Sequence, residues 1–515
     1  MFSLTTNSET YTHKMHPLLL PELLGLISNY LPLKEKQRCL RVCWTWHSFF
    51  ASHVWKSCTI DYERHSTHHL IPTSSIATYG HYIRSLVFNG FISVDHFAVA
   101  SASCTRLEDL KVVDGARVGF QGFSNNCTEL EQVWASLALL LANNLNLTTV
   151  EIAEMHFTPE KVFWNAIEAH PGIKSLSLDQ VRIEQGYLQE NFWKACSGLE
   201  RLTLRRCRIL DSNNSSPAIP VMFRRLQELN IENLFQPLPH VQIELLRLAP
   251  QLCSFYWRGG MIHGLARDTL LSVLGSGRLP NLDSIDIMGM NIGDLDGEHI
   301  VQCMSRVRRL SLYQTNFGPS SLQALQPHFK SVEELNLMQC PLITSPNIAL
   351  ILRSCPVLHV FKAETITSDD IKDGEVWPCH EHLHTLSLYF RLTQADRIAD
   401  SQRTFLLLSK LRALRRLNIS KYMSPHERVF TIVFGLQLRL DHGLAQLASL
   451  RHLEALYFDR LAQDMAMADA EWMEHNWKAL RVVRGNFNSS NPTLSQDISK
   501  FFADAFSGHV ALPRN

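Results

Sequence analysis

The densest set of potential metal ligands in the chain is the segment Cys379-His380-Glu381-His382-Leu383-His384. A structural zinc site needs about four nitrogen or sulfur ligands that converge on the ion. His382 and His384 flank a leucine on an extended segment and share one face, but no second pair follows at the spacing of a zinc finger. Cys379 precedes its strand-like segment as a small apolar residue would, in the manner of four other cysteines, Cys104, Cys127, Cys196 and Cys355. We therefore expect no metal site.

The run Arg205-Arg206-Cys207-Arg208 is the one local cluster of basic residues in the sequence. Arginine binds phosphate and carboxylate groups bidentately, so this cluster is compatible with nucleic acid or with an acidic or phosphorylated protein segment. The chain as a whole contains 49 Lys+Arg and 49 Asp+Glu and has no net charge. This balance argues against nucleic acid and anionic membranes as partners.

The sequence contains no phosphate-binding loop, nucleophile elbow or metalloprotease helix. Gly259-Gly260 and Gly275-Ser276-Gly277 are turn sequences that lack the Lys-Ser/Thr of a phosphate-binding loop. An enzyme site could still lie in the long insertions at 389–411 or 421–448, but these segments have no paired nucleophile and base. The sequence therefore predicts a non-catalytic protein without a cofactor.

The amino-terminal fifteen residues are polar and do not form a secretory signal. The longest apolar stretch, residues 134–142, is far shorter than the roughly 20 residues that a membrane-spanning helix requires. We expect a cytoplasmic or nuclear protein, in which the twelve cysteines are thiols.

An internal repeat fills most of the chain. Segments of the form L-x-x-L-x-L, with another aliphatic residue allowed at each leucine position, recur 25 to 27 residues apart, with a single step of 30 between Leu252 and Leu282. Their first positions are Leu147, Ile173, Leu199, Leu226, Leu252, Leu282, Val307, Val332, Leu358 and Leu383. Looser copies begin at Ile83, Leu107, Leu130, Leu414, Leu453 and Leu480. This phase predicts a repeat protein rather than several separate domains.

Each repeat combines two periodicities. Alternation in Leu176-Ser177-Leu178 is typical of a short strand, whereas the residues before the next copy follow helical spacing. One strand and one helix cannot bury their own apolar faces, so neighbouring units must stack into a solenoid. The pattern resembles the cysteine-containing leucine-rich repeats, most closely in Leu335-Asn336-Leu337-Met338-Gln339-Cys340. This resemblance implies an α/β fold, a horseshoe of about fifteen strand-helix units.

A different motif precedes the repeats. Pro21 suits the first turn of a helix, and the apolar residues that follow recur at three- and four-residue spacing. A second apolar set follows Pro32, and about 40 residues are too few to bury all of these large side chains internally. Some of them are therefore expected to be exposed until a partner covers them.

This stretch resembles an F-box in the order of its motif residues. One difference is that Pro21 and Glu22 are adjacent, whereas the family commonly has a residue between them. The matching elements are Pro21-Glu22-Leu23-Leu24, Ile27, Tyr30-Leu31, Val42-Cys43-Trp44-Thr45-Trp46 and Trp55. The resemblance implies that the segment docks onto a Skp-family adaptor and, through it, a cullin. The expected adaptor contacts are Pro21, Leu23, Leu24, Ile27, Leu31, Val42 and Trp46. Some of these side chains instead hold the small domain together.

In an F-box protein the repeats would hold a protein substrate for ubiquitination. Residues that alternate with the core leucines should line the open face of the sheet. Tyrosine and arginine are the types most enriched at binding hot spots. The candidate substrate contacts are Tyr256, Arg258, Arg309, Tyr313, Tyr389, Arg416 and Tyr457. The alternative for this group is a solvated sheet face.

The sequence thus predicts a polar, disordered tail at 1–15, an F-box-like helical domain at 16–60, a linker at 61–80, a solenoid at 81–485, and a cap or tail at 486–515. The expected function is substrate recognition in a Skp/cullin/F-box ubiquitin ligase. The main alternative is an interaction scaffold without a ligase role.

Overall fold

The computed structural model describes most of the chain. The described residues are 20–62, 71–90, 94–113, 127–155, 158–183, 186–209, 221–234, 239–259, 264–393, 397–422 and 435–506. The chain divides into two compact units, Met1–Val221 and Met222–Asn515. The predicted tail at 1–15 lies outside the described residues. Among the helices that the structure describes, none is long and apolar enough to cross a membrane.

The first unit begins with three short helices, α1 (Pro21–Tyr30), α2 (Leu33–Cys39) and α3 (Trp44–Val54). Pro21 occupies the first turn of α1, where its missing N–H is not needed. Phe50 and Ala51 of α3 are buried, as is Leu24 of α1. The helical domain predicted before the repeats is therefore confirmed.

Parallel strands and helices alternate through the rest of the first unit. The strands are β1 (Ser57–Asp61), β2 (Ser85–Asn89), β3 (Asp109–Val113), β4 (Thr149–Ala153), β5 (Ser175–Asp179), β6 (Arg182–Ile183), β7 (Arg201–Arg205) and β8 (Arg208–Ile209). The helices are α4 (Thr73–Tyr79), α5 (Val94–Ser103), α6 (Cys127–Ala142), α7 (Lys161–Ala169) and α8 (Gly186–Cys196). Strands β1 to β5 and β7 pair as parallel neighbours, and β6 pairs with β8.

The second unit continues the same pattern. Its strands are β9 (Glu228–Glu232), β10 (Ser254–Arg258), β11 (Ser284–Met288), β12 (Arg309–Tyr313), β13 (Glu334–Asn336), β14 (Val360–Thr367), β15 (Thr385–Arg391), β16 (Arg416–Asn418), β17 (Ala455–Phe458) and β18 (Val482–Gly485). Its helices are α9 (Pro239–Glu244), α10 (Gly264–Gly275), α11 (Asp294–Gln302), α12 (Pro319–Leu325), α13 (Ser345–Ser354), α14 (Arg397–Leu408), α15 (Met467–Asn476) and α16 (Pro492–Ala505). Each strand pairs in parallel with the next.

The repeat leucines form the core of both units. Leu176 and Leu178 of β5 align with Leu202 and Leu204 of β7, and all four are buried. Four of the five cysteines predicted to precede strands, Cys104, Cys196, Cys355 and Cys379, are also buried, whereas Cys127 begins helix α6 and the prediction for it is wrong. Burial raises the pKa of the Cys104, Cys355 and Cys379 thiols to about 12. These residues pack as small apolar side chains, as their sequence positions predicted.

Two sequence predictions place repeats differently from the structure. The parallel sheet begins with β1 at Ser57 and not at residue 81, because β1 pairs along its length with β2. The region predicted as a linker therefore contains the end of β1 and helix α4. Leu130, taken as the start of a loose repeat, lies in α6. An L-x-x-L spacing also fits one face of a helix, and here the helix is formed.

A helix closes the second unit at its carboxyl end. Asn491 accepts a hydrogen bond from the N–H of Leu494 at 3.1 Å and caps α16. Ile498 and Phe502 are fully buried, and Phe502 packs against Phe487 with ring centroids 5.4 Å apart. This arrangement is compatible with the predicted cap over the last repeat.

Candidate functional site

Exposed apolar side chains are concentrated in and beside the three amino-terminal helices. Within the described residues, eighteen large apolar side chains are exposed, and seven of them lie between residues 20 and 44. These seven are Leu20, Leu23, Leu26, Tyr30, Leu33, Val42 and Trp44. We call them the F-box apolar surface. Such density on so few residues is typical of a surface that a partner covers.

Helix α1 has one buried face and one exposed face. Leu24 and Ser28 are buried against the small domain, with Leu24 only 1% exposed. Leu23, Leu26 and Tyr30 follow at three- and four-residue steps on the other face and are 36%, 58% and 87% exposed. The outward face of α1 is therefore an apolar stripe with no covering element among the described residues.

The adaptor contacts predicted from the sequence divide into three groups. Pro21, Leu23 and Val42 are exposed and available to a partner. Ile27, Leu31 and Trp46 are half-buried, so that each can both support the domain and contact a partner. The seventh residue, Leu24, packs inside the domain, and its side chain is not part of the outer surface.

The two most exposed aromatic residues of this region are not among the predicted adaptor contacts. Tyr30 is 87% exposed and Trp44 is 80% exposed, with the Trp44 ring stacked on that of His47 at 5.6 Å. The sequence shows that Tyr30 follows Leu23, and that Trp44 follows Val42, within the same motif. Which face of each helix is buried could not be read from that spacing alone, because both faces carry apolar residues.

The small domain is joined to the repeats of the first unit through direct packing. Helix α3 ends at Val54 and β1 begins at Ser57. The Trp55 ring stacks on Tyr79 of α4, with centroids 5.0 Å apart and planes 12° apart. Tyr79 also places its hydroxyl 3.4 Å from Nε2 of His47. These contacts fix the orientation of the helices on the first strands of the array.

A groove of about 790 Å³ lies on the sheet of the second unit. We call it the sheet groove; the predicted substrate contacts that line it are Tyr256, Arg258, Tyr313, Arg416 and Tyr457. These positions alternate with buried apolar residues of the strands, so they lie on the face of the sheet opposite the core. Arg309 lines an adjoining depression with Tyr256 and donates from Nε to Oγ of Ser284 at 3.1 Å.

Charges of both signs lie in the sheet groove. Burial raises the pKa of the Asp286 carboxyl, while a hydrogen bond from Ser311 and the charges of Arg258 and Lys362 act in the opposite direction. Arg258 also forms an ion pair with Glu232 at 3.2 Å. Beside these groups, the hydroxyl oxygens of Tyr313 and Tyr422 lie 2.5 Å apart. The groove therefore offers aromatic surface and polar groups in one place, as protein-binding surfaces do.

Tyr389 differs from the other six candidate substrate contacts. Its side chain is only 5% exposed, and a Cβ added at Gly435 would lie 2.9 Å from its Cε2 atom. Gly435, which lies within the second predicted insertion at 421–448, therefore packs over it. Tyr389 belongs to the packed interior of the second unit, where it cannot act as a surface contact.

Two histidines of the 379–384 segment, His382 and His384, lie close to His359. The ring of His359 stacks on that of His384 at 5.7 Å, and His382 lies 5.9 Å from His359 in an edge-on arrangement. Cys379 is buried away from solvent. No group of three or more potential ligands is arranged for a metal ion in the part of the chain that the structure describes.

Comparison with known proteins identifies one domain. Residues 17–57 match the family model of the F-box domain. Solved structures also align with the chain, at low sequence identity. An internalin from Listeria monocytogenes is 13% identical, with 70% of this chain and 85% of that chain covered and a TM-score of 0.36.

Two more of the aligned structures are complexes. The yeast complex of Rad7 and Elc1 is 13% identical, with 76% and 96% covered and a TM-score of 0.40. The Toll–Spätzle complex of Drosophila is 12% identical, with 84% and 50% covered and a TM-score of 0.30. The family match at 17–57 and the parallel strand-helix repeats described above lead to one conclusion. The chain contains an F-box domain, followed by repeats of the leucine-rich type.

Proposed function

We propose that this protein is a substrate-recognition subunit of a Skp/cullin/F-box ubiquitin ligase. Its F-box docks a Skp-family adaptor, which connects the chain to a cullin, and its repeats bind a protein substrate. The chain itself carries out no covalent chemistry. Such a complex operates in the cytoplasm or the nucleus.

The observation that carries this proposal is the F-box apolar surface. A small helical domain that matches the F-box model leaves seven large apolar side chains exposed within 25 residues, Leu20 to Trp44. Exposed apolar area of this kind is stabilised when a partner removes it from water. A Skp-family adaptor is the partner that the F-box match supports.

The contribution of the chain to ubiquitin transfer is proximity. A substrate held by the repeats meets the ubiquitin-conjugating enzyme as part of one assembly, so the encounter becomes effectively intramolecular. Tight packing of α3 and Trp55 on Tyr79 supports this role, because a fixed F-box orients the first repeats relative to the adaptor. No nucleic acid or membrane is needed in this scheme.

The sheet groove is the proposed site for the substrate. It combines Tyr256, Tyr313 and Tyr457 with Arg258 and Arg416 in one depression. Tyrosine and arginine supply large contact area and directed hydrogen bonds and are enriched at binding hot spots. Arg309 extends the same surface toward the adjoining depression.

Co-purification with a Skp-family adaptor tests the proposal. The variant Leu23→Asp/Ile27→Asp introduces two charges, one on the exposed stripe and one at its half-buried margin. Wild-type chain should retain the adaptor, and the variant should lose it, because a buried, unpaired carboxylate opposes docking. The matched control is Leu295→Asp, a substitution at a 73% exposed leucine in α11 of the second unit.

The folded state of each variant is checked by thermal unfolding and circular dichroism. Because Ile27 is half-buried, Leu26→Asp/Tyr30→Asp provides a second pair in which both side chains are well exposed. If folded wild-type chain does not bind the adaptor, the ligase role is refuted. The interaction scaffold without ligase activity would then be the better account.

A further inference from the structure

A pair of tyrosines joins two distant strands across the sheet groove. The hydroxyl oxygens of Tyr313 and Tyr422 lie 2.5 Å apart, and the two rings are perpendicular, with centroids 6.3 Å apart. Tyr313 ends strand β12, whereas Tyr422 follows β16, which ends at Asn418. The two tyrosines are 109 positions apart in the sequence. We call this contact the tyrosine bridge.

The tyrosine bridge passes over three strands. Strands β13, β14 and β15 lie between β12 and β16 in the sheet. Neighbouring strands are about 4.8 Å apart, so the four steps from β12 to β16 cover roughly 19 Å along the sheet. The intervening strands contribute Asn336, Lys362 and Ser387 to the lining of the same groove. The Tyr422 side chain therefore lies over the groove and not beside it.

The backbone that precedes Tyr422 is held in place. The N–H of Ile419 donates to the carbonyl of Tyr457 at 2.8 Å, and the N–H of Asp459 donates to Oγ of Ser420 at 2.8 Å. These bonds fix the chain against β17 and the turn that follows it. Tyr422 therefore extends over the groove from a fixed base, and rotation of its side chain alone can open the bridge.

The tyrosine bridge occupies one of the predicted substrate contacts. Tyr313 lines the sheet groove, and its hydroxyl is hydrogen-bonded to that of Tyr422. A polypeptide that lies along the groove meets the Tyr422 ring at this point and finds the Tyr313 hydroxyl already engaged. The closed bridge and a substrate contact at Tyr313 therefore exclude each other.

The contact is weak enough to open. Tyr422 is 40% exposed, and solvent reaches its hydrogen bond with Tyr313. An exposed hydrogen bond is replaced by bonds to water at small net cost, and a perpendicular pair of rings contributes a similar amount. Together they hold the closed bridge in about 5- to 150-fold excess over the open form. A substrate needs only a preference of that size for the open form to displace Tyr422.

We infer that Tyr422 is an autoinhibitory residue, whose contact with Tyr313 closes the sheet groove until a protein substrate displaces it. This inference rests on the proposed function. The apparent affinity for a substrate is reduced by the fraction of the protein that is open, so loss of the bridge strengthens binding. The bridge thereby excludes polypeptide segments that bind the groove too weakly to open it.

Access to the floor of the groove measures the open fraction without a substrate. Met338 lines the sheet groove, so a Met338→Cys background carries a thiol there, and peptide mass spectrometry follows its reaction with fluorescein maleimide. Adding Tyr422→Ala should accelerate this reaction at least about fivefold, and Tyr422→Phe, which removes only the hydroxyl, should accelerate it less. The matched control is Tyr457→Ala, which removes a groove tyrosine outside the bridge and should leave the rate unchanged.

Binding is measured with the full chain on an immobilised degenerate library of unmodified peptides. The Tyr422→Ala chain should be retained at least about fivefold more than the wild type, and the Tyr457→Ala chain no more than the wild type. If Tyr422→Ala does not fold, Tyr422→Phe replaces it, because this variant keeps the ring and should still show a smaller increase in retention.

An unchanged maleimide rate in the folded Tyr422 variants would overturn the inference, because Tyr422 would then be a fixed part of the groove. Faster reaction with equal or weaker peptide retention would also overturn it, since Tyr422 would then not oppose binding. Adaptor co-purification is measured on the same preparations. Adaptor binding with unchanged access to the groove would refute only the autoinhibitory role, whereas absence of adaptor binding alone would refute the proposed ligase role.

Discussion

Asn144 is a buried polar residue whose removal should destabilise the first unit. Its side chain is fully buried and accepts a hydrogen bond from the N–H of Leu107 at 2.8 Å. Its amide nitrogen donates to the carbonyl oxygens of Cys104 at 2.8 Å and Leu140 at 2.7 Å. One side chain thus connects helices α5 and α6 with the turn that leads into β3.

The expected cost of Asn144→Ala follows from those partners. Truncation removes the partner of the Leu107 N–H and of at least one buried carbonyl, and each unsatisfied group costs about 1–3 kcal/mol. Two such groups give a loss of about 2–6 kcal/mol in the free energy of local opening. Since about 1.4 kcal/mol corresponds to a factor of ten, a loss near the middle of this range accelerates amide exchange about a thousandfold.

Hydrogen–deuterium exchange with peptide-level mass spectrometry measures this effect directly. The amides of β3 and α6 should exchange much faster in Asn144→Ala, while those of the second unit remain unchanged. The neighbouring variant Asn143→Ala is the matched control, because Asn143 is exposed and donates only one side-chain bond, to Ser101 at 2.8 Å. Equal exchange rates in the two variants would refute the reasoning.

Three further outcomes follow from the structure. Burial raises the pKa of Cys104, Cys355 and Cys379 to about 12, so these thiols should resist iodoacetamide at pH 8 while exposed Cys43 reacts. Peptide mass spectrometry measures the alkylation, and rapid alkylation of all four cysteines would contradict the packing. Burial alone would raise the pKa of Asp294, but the N–H groups of Ser321, Ser320 and Gly318 hold that pKa below its usual value. Ionised Asp294 therefore stabilises the fold at pH values above the pKa that it has in the unfolded chain. This stabilisation is lost as the pH falls through the lower pKa of the folded state. Asp294→Ala should therefore lower stability at pH 7 by about 0.5–2 kcal/mol and flatten its dependence below about pH 4 in urea titrations, and an unchanged acid profile would refute this role. Tyr79→Ala should cost about 0.5–1.5 kcal/mol by removing the stack on Trp55, and limited proteolysis should then cut between the F-box and the repeats sooner than in a Tyr82→Ala control; equal cleavage would contradict the rigid connection.

The sequence predicted the elements that repeat and missed those that depend on packing between distant segments. Leu176, Leu202 and their equivalents are buried where the periodicity placed them, because a strand with alternating leucines can bury only one face. The strand at Ser57 was missed, because no L-x-x-L step precedes Cys58 and Ile60.

The candidate sites were predicted in part for the same reason. Tyr256 and Tyr313 line the sheet groove because alternation along a strand determines their side. Tyr389 has an equivalent pattern but is covered by the segment after residue 434, a long-range contact that no local spacing encodes. In the F-box, the burial of Leu24 and the exposure of Trp44 depend on how α1 and α3 pack together.

Isothermal titration of a purified Skp-family adaptor into the full chain tests the central claim most directly. We predict one-to-one binding with a negative heat-capacity change, because the F-box apolar surface is removed from water. Leu23→Asp/Ile27→Asp should abolish the binding heat, and Leu295→Asp should leave it unchanged. Absence of binding by folded wild-type chain, or equal binding by the folded F-box variant, would contradict the account.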